Sequence, residues 1–285
     1  MAEDIVLQTR VGHAEWGDNR AFGHSVAQEL AGKESYVGLL SLAVAARRLM
    51  PDERDLLDDL AVVMTVADPR IWPLKLVRVV SSYGGCLAAF AAGELCLDAA
   101  FVGHFTTGEA AQMLFETRRA LGDRCFELEA VTEHVRALLE PGKRLLGIGV
   151  PFRPVDERVV MLMERVHARG RADLPFWRLF LLFQTALERV KKLRPNIGLA
   201  AAALCLDIGF LPRECAILVT SLGSTDFLAN AVEGSLQAPA VLRELPKSVI
   251  VYRGCEPRTS PRARAAATKP APAGAAAGRR SDVAQ

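Results

Sequence analysis

One histidine stands out among the residues that could carry chemistry. His104 follows a run rich in Ala and Gly, residues 85–95, and it lies in the short Gly/Thr segment 103–108, five residues before Glu109. We predict a buried small-residue helix that delivers His104 onto a loop, with Glu109 opening the next helix. An imidazole at such a place can donate a hydrogen bond to an oxygen atom that becomes negative during a reaction. A second interpretation stays open, in which His104 caps the Glu109 helix or is hydrogen-bonded in a turn.

A second candidate for proton transfer lies further along the chain. Asp226 and Asn230 are four residues apart, which places both side chains on one face of a helix, one turn from each other. Two roles are open for Asp226: it is a candidate general base, or it caps the helix on which it lies. The spacing alone does not choose between a catalytic and a capping carboxylate.

Other kinds of chemistry have no support in the sequence. No histidine–carboxylate cluster has the spacing of a metal site, and no glycine-rich loop of the phosphate-binding kind is present. The six cysteines include no C-x-x-C pair, and four of them lie in apolar helical runs, where a reduced cysteine behaves as a small hydrophobic residue. We therefore predict no metal, no covalently bound cofactor and a reducing compartment.

Helices are predicted to position these residues. Leu and Ala dominate the composition and only 6% of the residues are aromatic, which favours helices over sheets. Pro51 and Pro212 suit the first position of a helix, and Gly209 suits a helix end. The other predicted helices cover residues 25–30, 35–50, 85–95, 109–121, 127–139, 156–169, 175–193 and 199–208.

The predicted fold class is all-α. Residues 1–20 are polar and predicted to be irregular, and strand-like alternation is confined to residues 249–252. Two helices built of small residues, near 86–95 and 199–208, are predicted to lie at the centre. Small side chains let helices approach each other closely, as in a core or in a tight dimer interface.

Composition and charge narrow the class of protein. Apolar residues make up 51% of the 285 residues and charged residues 24%, so a sizeable buried core is expected. A net charge of +2 does not suggest a nucleic-acid-binding surface. The longest uncharged run, residues 79–93, is shorter than a membrane span, and the N-terminus lacks a signal-peptide pattern. We predict a cytoplasmic protein without a nucleic-acid or membrane partner.

The segments around His104 resemble a known family. Residues 78–84 follow the pattern Arg-x-x-x-Ser-x-Gly, and His104 to Glu109 fall on a His-Gly-Gly-x-x-Glu turn. This order is similar to that of the citrate synthase superfamily. The likeness extends over residues 22–254. It includes Gly23-His24 with residues 30–33, Ala67-Asp68-Pro69-Arg70, Gly147-Ile148-Gly149-Val150 with Asp156-Glu157-Arg158, Pro195-Asn196-Ile197-Gly198, residues 226–230 and Tyr252-Arg253-Gly254.

The resemblance implies roles for several residues. Members of this family form or break a carbon–carbon bond of an acyl-CoA thioester, and the histidine at the position of His104 stabilises the enol form. Arg158 falls on an arginine that binds a carboxylate of the second substrate, with a solvated ion pair as its alternative role. Arg153 lies where members carry a basic residue near the CoA phosphates, with surface exposure as its alternative. Asn196 belongs to the segment that carries the family's catalytic base, and we assign it to substrate binding.

The sequence departs from the family at most catalytic positions. The glycines after the histidine are replaced, and so are the base, the second histidine and the histidine that binds the oxo acid. The replacements are Phe105, Thr106, Gly198, Val150 and Pro69, and residues 220–225 contain no arginine. Loss of a base and of an electrophile each costs about 10²–10⁴ in rate. Ordinary citrate synthase activity is therefore not expected.

The resemblance also implies an organisation of the chain. We expect an all-α fold with a large helical domain over residues 1–257, a smaller helical lobe over about 147–240 within it, and a homodimer. The short length is closer to citryl-CoA-lyase-type members than to full-length synthases. The tail, residues 258–285, is rich in Ala, Pro and basic residues and is predicted to be disordered, because it has few large apolar side chains to bury.

Two functional hypotheses follow from the resemblance and its departures. In the first, the chain is an enzyme that uses an acyl-CoA thioester with a different second substrate, or cleaves instead of condensing. In the second, it is an inactive homologue that binds CoA esters or pairs with an active paralogue. Both make a coenzyme A thioester the expected small-molecule ligand. A purely structural helical protein is a third interpretation.

Overall fold

The structure, a computed structural model, describes residues 7–97, 103–140, 145–150, 154–237, 247–249, 251 and 253, and only the backbone of His104 and Lys247. The chain divides into two compact units, Met1–Val241 and Leu242–Gln285. In the second unit the described part contains one 3-10 turn, Lys247–Val249. The sequence predicts strand-like structure over residues 249–252, but Val249 belongs to this turn. The tail 258–285 lies outside the described residues, and the smaller lobe over 147–240 stays a prediction.

Helices dominate the described part of the first unit, which confirms the all-α class. The α-helices are α1 Tyr36–Ala45, α2 Pro51–Met64, α3 Trp72–Tyr83, α4 Cys86–Cys96, α5 Gly103–Leu121, α6 Leu128–Leu138, α7 Glu157–Ala168, α8 Pro175–Lys191, α9 Ile197–Ile208, α10 Pro212–Leu222 and α11 Ser224–Ser235. A 3-10 turn, Gly122–Phe126, joins α5 to α6.

A small antiparallel sheet precedes these helices. Strands β1 Gly12–Glu15, β2 Asp18–Ala21 and β3 His24–Ser25 pair in the order β1-β2-β3. The irregular structure predicted for residues 1–20 is therefore wrong over the first two strands. Their side chains are almost all exposed, so no apolar alternation marks them in the sequence. A π-helical turn, Val26–Leu30, follows where a helix over 25–30 is predicted.

Capping residues set the helix ends that the sequence predicts. Pro51 and Pro212 begin α2 and α10, and a glutamate three positions after each N-cap accepts the N-cap amide hydrogen, at 2.9 Å for Glu53 and 2.8 Å for Glu214. Gly209 ends α9 with a φ of 103°, a conformation that favours glycine. Helix α1 stops five residues before the predicted end at residue 50, because Ala46 adopts the left-handed conformation.

The centre of the described fold is α9. Its Ala200–Ala203 stretch is fully buried, and the helix packs against α5, α8 and α10. The other small-residue helix, α4, lies at the edge, where Leu87 and Leu95 are 77% and 76% exposed. Among the described elements α4 contacts α3 and α11. The prediction of two central small-residue helices is thus confirmed for α9 and wrong for α4.

Close approach explains the small residues of α4. A Cβ atom added to Gly93 would lie 2.4 Å from the Val77 side chain of α3 and 2.5 Å from the Phe227 side chain of α11. These contacts belong to a second apolar cluster, which also contains Leu74, Ala89 and Leu97. Helices α3, α4 and α11 therefore form a satellite layer beside the main core.

The start of α8 is stabilised by a carboxylate from another helix. Asp207, near the end of α9, accepts the backbone N–H groups of Phe176 and Trp177 at 2.8 and 2.7 Å. Those amides belong to the first turn of α8, where a helix offers them no acceptor of its own. Burial raises the pKa of Asp207 to about 6 despite the two hydrogen bonds.

Stability is expected to fall as the pH rises toward the pKa of Asp207. The folded-state pKa of about 6 exceeds the ordinary value of 3.8, so between these pH values the native state keeps a proton that the unfolded state has lost. Through this group the free energy of unfolding should decrease by about 2–3 kcal/mol from about pH 4 to about pH 6. Urea titrations of Asp207→Asn should lack that contribution. Asp123→Asn, the same change on the exposed 3-10 turn, should retain it, and identical pH profiles for the two variants would contradict the assignment.

Candidate functional site

A cavity of about 280 Å³ brings together residues from five parts of the fold. The segment that joins α2 to α3 forms one wall, and the junction of α10 and α11 forms another. The first turn of α5, the first turn of α7 and the start of α9 close the remaining sides. Three of the predicted site residues, Arg158, Asn196 and Asp226, line this cavity.

Arg158 is held in place by a buried carboxylate. Its Nε and Nη2 donate to the two oxygen atoms of Asp156, each at 2.8 Å, and Asp156 is 1% exposed. Asp156 also accepts the amide hydrogen of Ile197 at 2.8 Å, and it caps α7. Burial alone would raise the pKa of Asp156, but the Arg158 guanidinium and the two amides outweigh burial and lower it. Arg158 therefore pairs with a buried carboxylate, and the alternative role as a solvated partner of Glu157 or Glu164 stays a prediction.

The importance of Asp156 is not visible in the sequence. The sequence places Asp156 in the segment Asp156-Glu157-Arg158 of the family resemblance, without a role of its own. The hydrogen bond to Ile197 crosses 41 residues of sequence, and no local pattern reports it. Through this bond Asp156 links the arginine to the first turn of α9.

Asn196 is the N-cap of α9. Its Oδ1 accepts the amide hydrogen of Gly198 at 2.9 Å, and its Nδ2 donates to the carbonyl of Gly149 at 2.9 Å. The loop beneath it needs glycine, because Gly147 has a φ of 80° and an added Cβ would lie 3.0 Å from the Ala110 side chain. The side chain thus has a structural role in addition to its place in the cavity wall.

Asp226 does not cap its helix. The N-cap of α11 is Gly223, and the Asp226 carboxylate instead accepts the amide hydrogen of Val66 through Oδ2 at 2.8 Å. The capping role is therefore excluded. Burial raises the pKa of Asp226, while the Val66 amide and the charge of Arg158 act in the opposite direction. A buried carboxyl group with a raised pKa in a cavity is a candidate for proton transfer.

Asn230 lies one turn after Asp226 and anchors the same segment. Its Nδ2 donates to the carbonyl of Ala67 at 3.0 Å, and its Oδ1 accepts from Arg78 Nε at 3.0 Å. Arg78 also pairs with Glu233, as expected for a structural arginine. Together these bonds hold the cavity wall between α2 and α3 against α11.

His104 lies within a helix and not on a loop. Helix α5 begins at Gly103, six residues before the predicted start at Glu109, because its first turns pack on the core: Thr107 and Ala110 are buried. Gly103 and Thr106 line the cavity, and the Thr106 hydroxyl donates to the carbonyl of Gly103 at 2.8 Å. The His104 side chain lies outside what the structure describes, so its role and the two alternatives stay predictions.

Another described candidate, Glu109, lies away from the cavity. Glu109 lines a separate surface groove with His134 and Glu116. Arg153 lies outside the described residues. Gly198, at the family's base position, does line the cavity, and a Cβ atom there would lie 3.6 Å from the Thr106 hydroxyl. Within the described part of the chain, no three His, Cys, Asp or Glu side chains are grouped to hold a metal ion.

The fold and the cavity define a helical protein with a small, mostly apolar pocket whose wall includes a guanidinium, an amide and a buried carboxyl group. No protein-family model matches the sequence, and a search of curated proteins finds no match. Solved structures do match. The chain resembles citryl-CoA lyase from Hydrogenobacter thermophilus with a TM-score of 0.73 and 19% identity, over 90% of this chain and 98% of that one.

Two further structures extend the likeness. ATP citrate lyase from Methanosaeta concilii, in complex with (3S)-citryl-CoA, matches with a TM-score of 0.70 and 16% identity. The match covers 90% of this chain and 43% of that one. Citrate synthase from Thermotoga maritima matches with a TM-score of 0.60 and 17% identity, over 79% of this chain and 59% of that one. The chain therefore has the fold of the citrate synthase superfamily.

One stretch satisfies the length and hydropathy of a membrane span. It is Pro212–Ser235, which comprises α10 and α11 and is 50% buried inside the fold. Core helices of soluble proteins satisfy the same two criteria, so this stretch is weak evidence for a membrane location.

Proposed function

We propose that the cavity binds the acyl end of a coenzyme A thioester and that the protein forms or cleaves a carbon–carbon bond next to the thioester carbonyl. The observation that carries this proposal is the convergence of Arg158, Asn196 and Asp226 at the first turn of α5, the helix that bears His104. The superfamily fold supports it, because the ATP citrate lyase with this fold binds citryl-CoA.

The proposed roles follow from the chemistry of each group. Asp226 takes a proton from the carbon next to the thioester carbonyl, through the carboxylate oxygen Oδ1, since Oδ2 accepts the Val66 amide hydrogen. His104 donates a hydrogen bond to the enolate oxygen that forms. Arg158 binds a carboxylate of the second substrate. In condensation the enolate carbon bonds to the carbonyl carbon of the second substrate, and the alkoxide that forms takes the proton back from Asp226. In cleavage Asp226 takes the hydroxyl proton, the carbon–carbon bond breaks, and the same proton passes to the enolate carbon.

Two measurements on the full chain test this function. Calorimetry with coenzyme A and acetyl-CoA is expected to show binding, and bound ligand should raise the melting temperature. In D₂O, the enzyme should catalyse deuterium incorporation into the acetyl methyl group, which NMR detects without a second substrate. No heat change and no thermal stabilisation with any CoA species would exclude an acyl-CoA function of either kind.

A second candidate function is an inactive homologue that binds CoA esters or pairs with an active paralogue. Gly198 favours it, because this residue lines the cavity at the base position and has no acid–base group. Pro69, where the family has a histidine, is exposed. Binding of CoA species without deuterium exchange would support this alternative and contradict the enzyme.

We also propose that the chain is a homodimer, in the cytoplasm and without a nucleic-acid or membrane partner. Helices α4 and α11 pack against each other and expose the apolar side chains Leu87, Leu95, Leu228 and Val232, which a second copy would cover. Sedimentation is expected to give twice the chain mass of 30.9 kDa, and Leu95→Glu should shift it toward the monomer. Val160→Glu, an exposed apolar residue on α7, is the matched control, and a monomeric wild-type chain would contradict the dimer.

A further inference from the structure

The described part of the cavity wall carries little positive charge. Of the described residues that line it, Arg158 is the cation, and Asp226 carries the acidic group. Two guanidinium nitrogens, Nε and Nη2, already bind Asp156. Chiefly Nη1 therefore remains for a ligand, and any second negative group in the cavity would meet Asp226. An unpaired charge removed from water is strongly unfavourable.

Most of the cavity wall is apolar. Ile71 and Leu74 come from the start of α3, Leu97 follows α4, and Phe227 comes from α11. Leu74, Leu97 and Phe227 are each less than 9% exposed, so they offer a fixed hydrophobic surface. A ligand gains free energy there from buried hydrocarbon, at about 25 cal/mol for each Å².

The size of the cavity limits what it can hold. Its volume of about 280 Å³ lies near the lower end of the range for ligand pockets, about 300–1,000 Å³. It has room for a short organic acid beside the acyl end of a thioester, and the nucleotide part of a coenzyme A ester must lie outside.

From this charge and shape we propose that the second substrate is a short aliphatic 2-oxo acid with one carboxylate, not a di- or tricarboxylate. Its carboxylate binds Arg158, and its hydrocarbon part lies against Leu74, Leu97 and Phe227. The 2-oxo group rests on the proposed function, which needs a carbonyl carbon as acceptor. Selection of one carboxylate rests on the charges of the described cavity residues.

Calorimetry with three probes tests this selectivity. For the wild-type chain, 4-methyl-2-oxopentanoate is expected to bind at least about tenfold more tightly than oxaloacetate or citrate, a difference of about 1.4 kcal/mol. Arg158→Gln should abolish measurable binding of all three. Equal affinities, or a preference for oxaloacetate or citrate, would overturn the proposal.

A gain-of-function variant separates charge from folding effects. Ile71 lies at the rim of the cavity and is partly exposed, so Ile71→Arg adds a second cation without opening the core. It should raise the affinity for oxaloacetate about tenfold relative to the affinity for 4-methyl-2-oxopentanoate. Val62→Arg adds the same charge on an exposed part of α2 and should change neither affinity. If Ile71→Arg behaves like the Val62 control, the proposed placement of the carboxylates is wrong.

The same titrations distinguish failure of this inference from failure of the proposed function. Preference for 4-methyl-2-oxopentanoate without any CoA binding would contradict the acyl-CoA function and support the inferred selectivity. Binding of CoA species together with a preference for oxaloacetate would support the function and overturn the selectivity.

Discussion

Asp226→Asn is expected to lower the rate of deuterium exchange into acetyl-CoA by about 10²–10⁴, the contribution typical of a general base. The amide is nearly isosteric with the carboxylate, and its oxygen can still accept the hydrogen bond from Val66 that Oδ2 accepts in the wild type. It cannot take the proton. NMR of the acetyl methyl signal in D₂O measures the loss directly.

Two controls make the Asp226 result specific. Asp123→Asn makes the same chemical change on the exposed turn between α5 and α6 and should leave the exchange rate unchanged. Acetyl-CoA affinity of Asp226→Asn should also stay near that of the wild type, because the proposed role concerns the proton and not binding. Undiminished exchange in Asp226→Asn would remove Asp226 from the mechanism. A loss of binding with the loss of exchange would assign it a structural role instead.

Local rules explain why most helices were predictable. Pro51 and Pro212 combine a fixed φ with a glutamate three positions after the N-cap, and both are confirmed as helix starts. Gly209 supplies the left-handed residue that ends α9. Such signals depend on neighbours in sequence, so they can be recognised without knowledge of the fold.

Long-range packing explains what was not predictable. Helices α4 and α9 are both rich in small residues, yet α9 is buried on all sides and α4 leaves Leu87 and Leu95 exposed. Composition cannot distinguish them, because the difference is made by the helices that surround each one. The early start of α5 has the same kind of cause, since burial of Thr107 and Ala110 outweighs the weak helix preference of Gly and Thr.

The candidate site was also predictable only in part: its residues could be named, but the bonds that hold them could not. The resemblance to the citrate synthase superfamily pointed to Arg158, Asn196 and Asp226, and the structure places all three on one cavity. Their catalytic and binding roles stay predictions. What the sequence could not show is how each is held: Asp226 bonds to a residue 160 positions away, and Asp156 to one 41 positions away.

Asp156→Asn is expected to be the most destabilising change near the cavity, at about 3–5 kcal/mol of unfolding free energy. Removal of one partner of a buried ion pair leaves the other charge without compensation, and here the Arg158 guanidinium would face an amide. The amide also has one oxygen atom where the carboxylate uses two, for Arg158 and for Ile197. Urea unfolding at pH 7 measures the loss.

The matched control is another aspartate that pairs with an arginine. Asp52 binds Arg171, but its side chain is 54% exposed. In Asp52→Asn, water therefore replaces much of the lost interaction with Arg171. That variant should lose only about 1 kcal/mol or less. Because Asp156 ties Arg158 to the first turn of α9, Asp156→Asn should also weaken carboxylate binding, whereas Asp52→Asn should not. Similar losses of stability in the two variants would mean that the buried pair contributes no more than a surface one, and Arg158 would then not depend on Asp156 for its position.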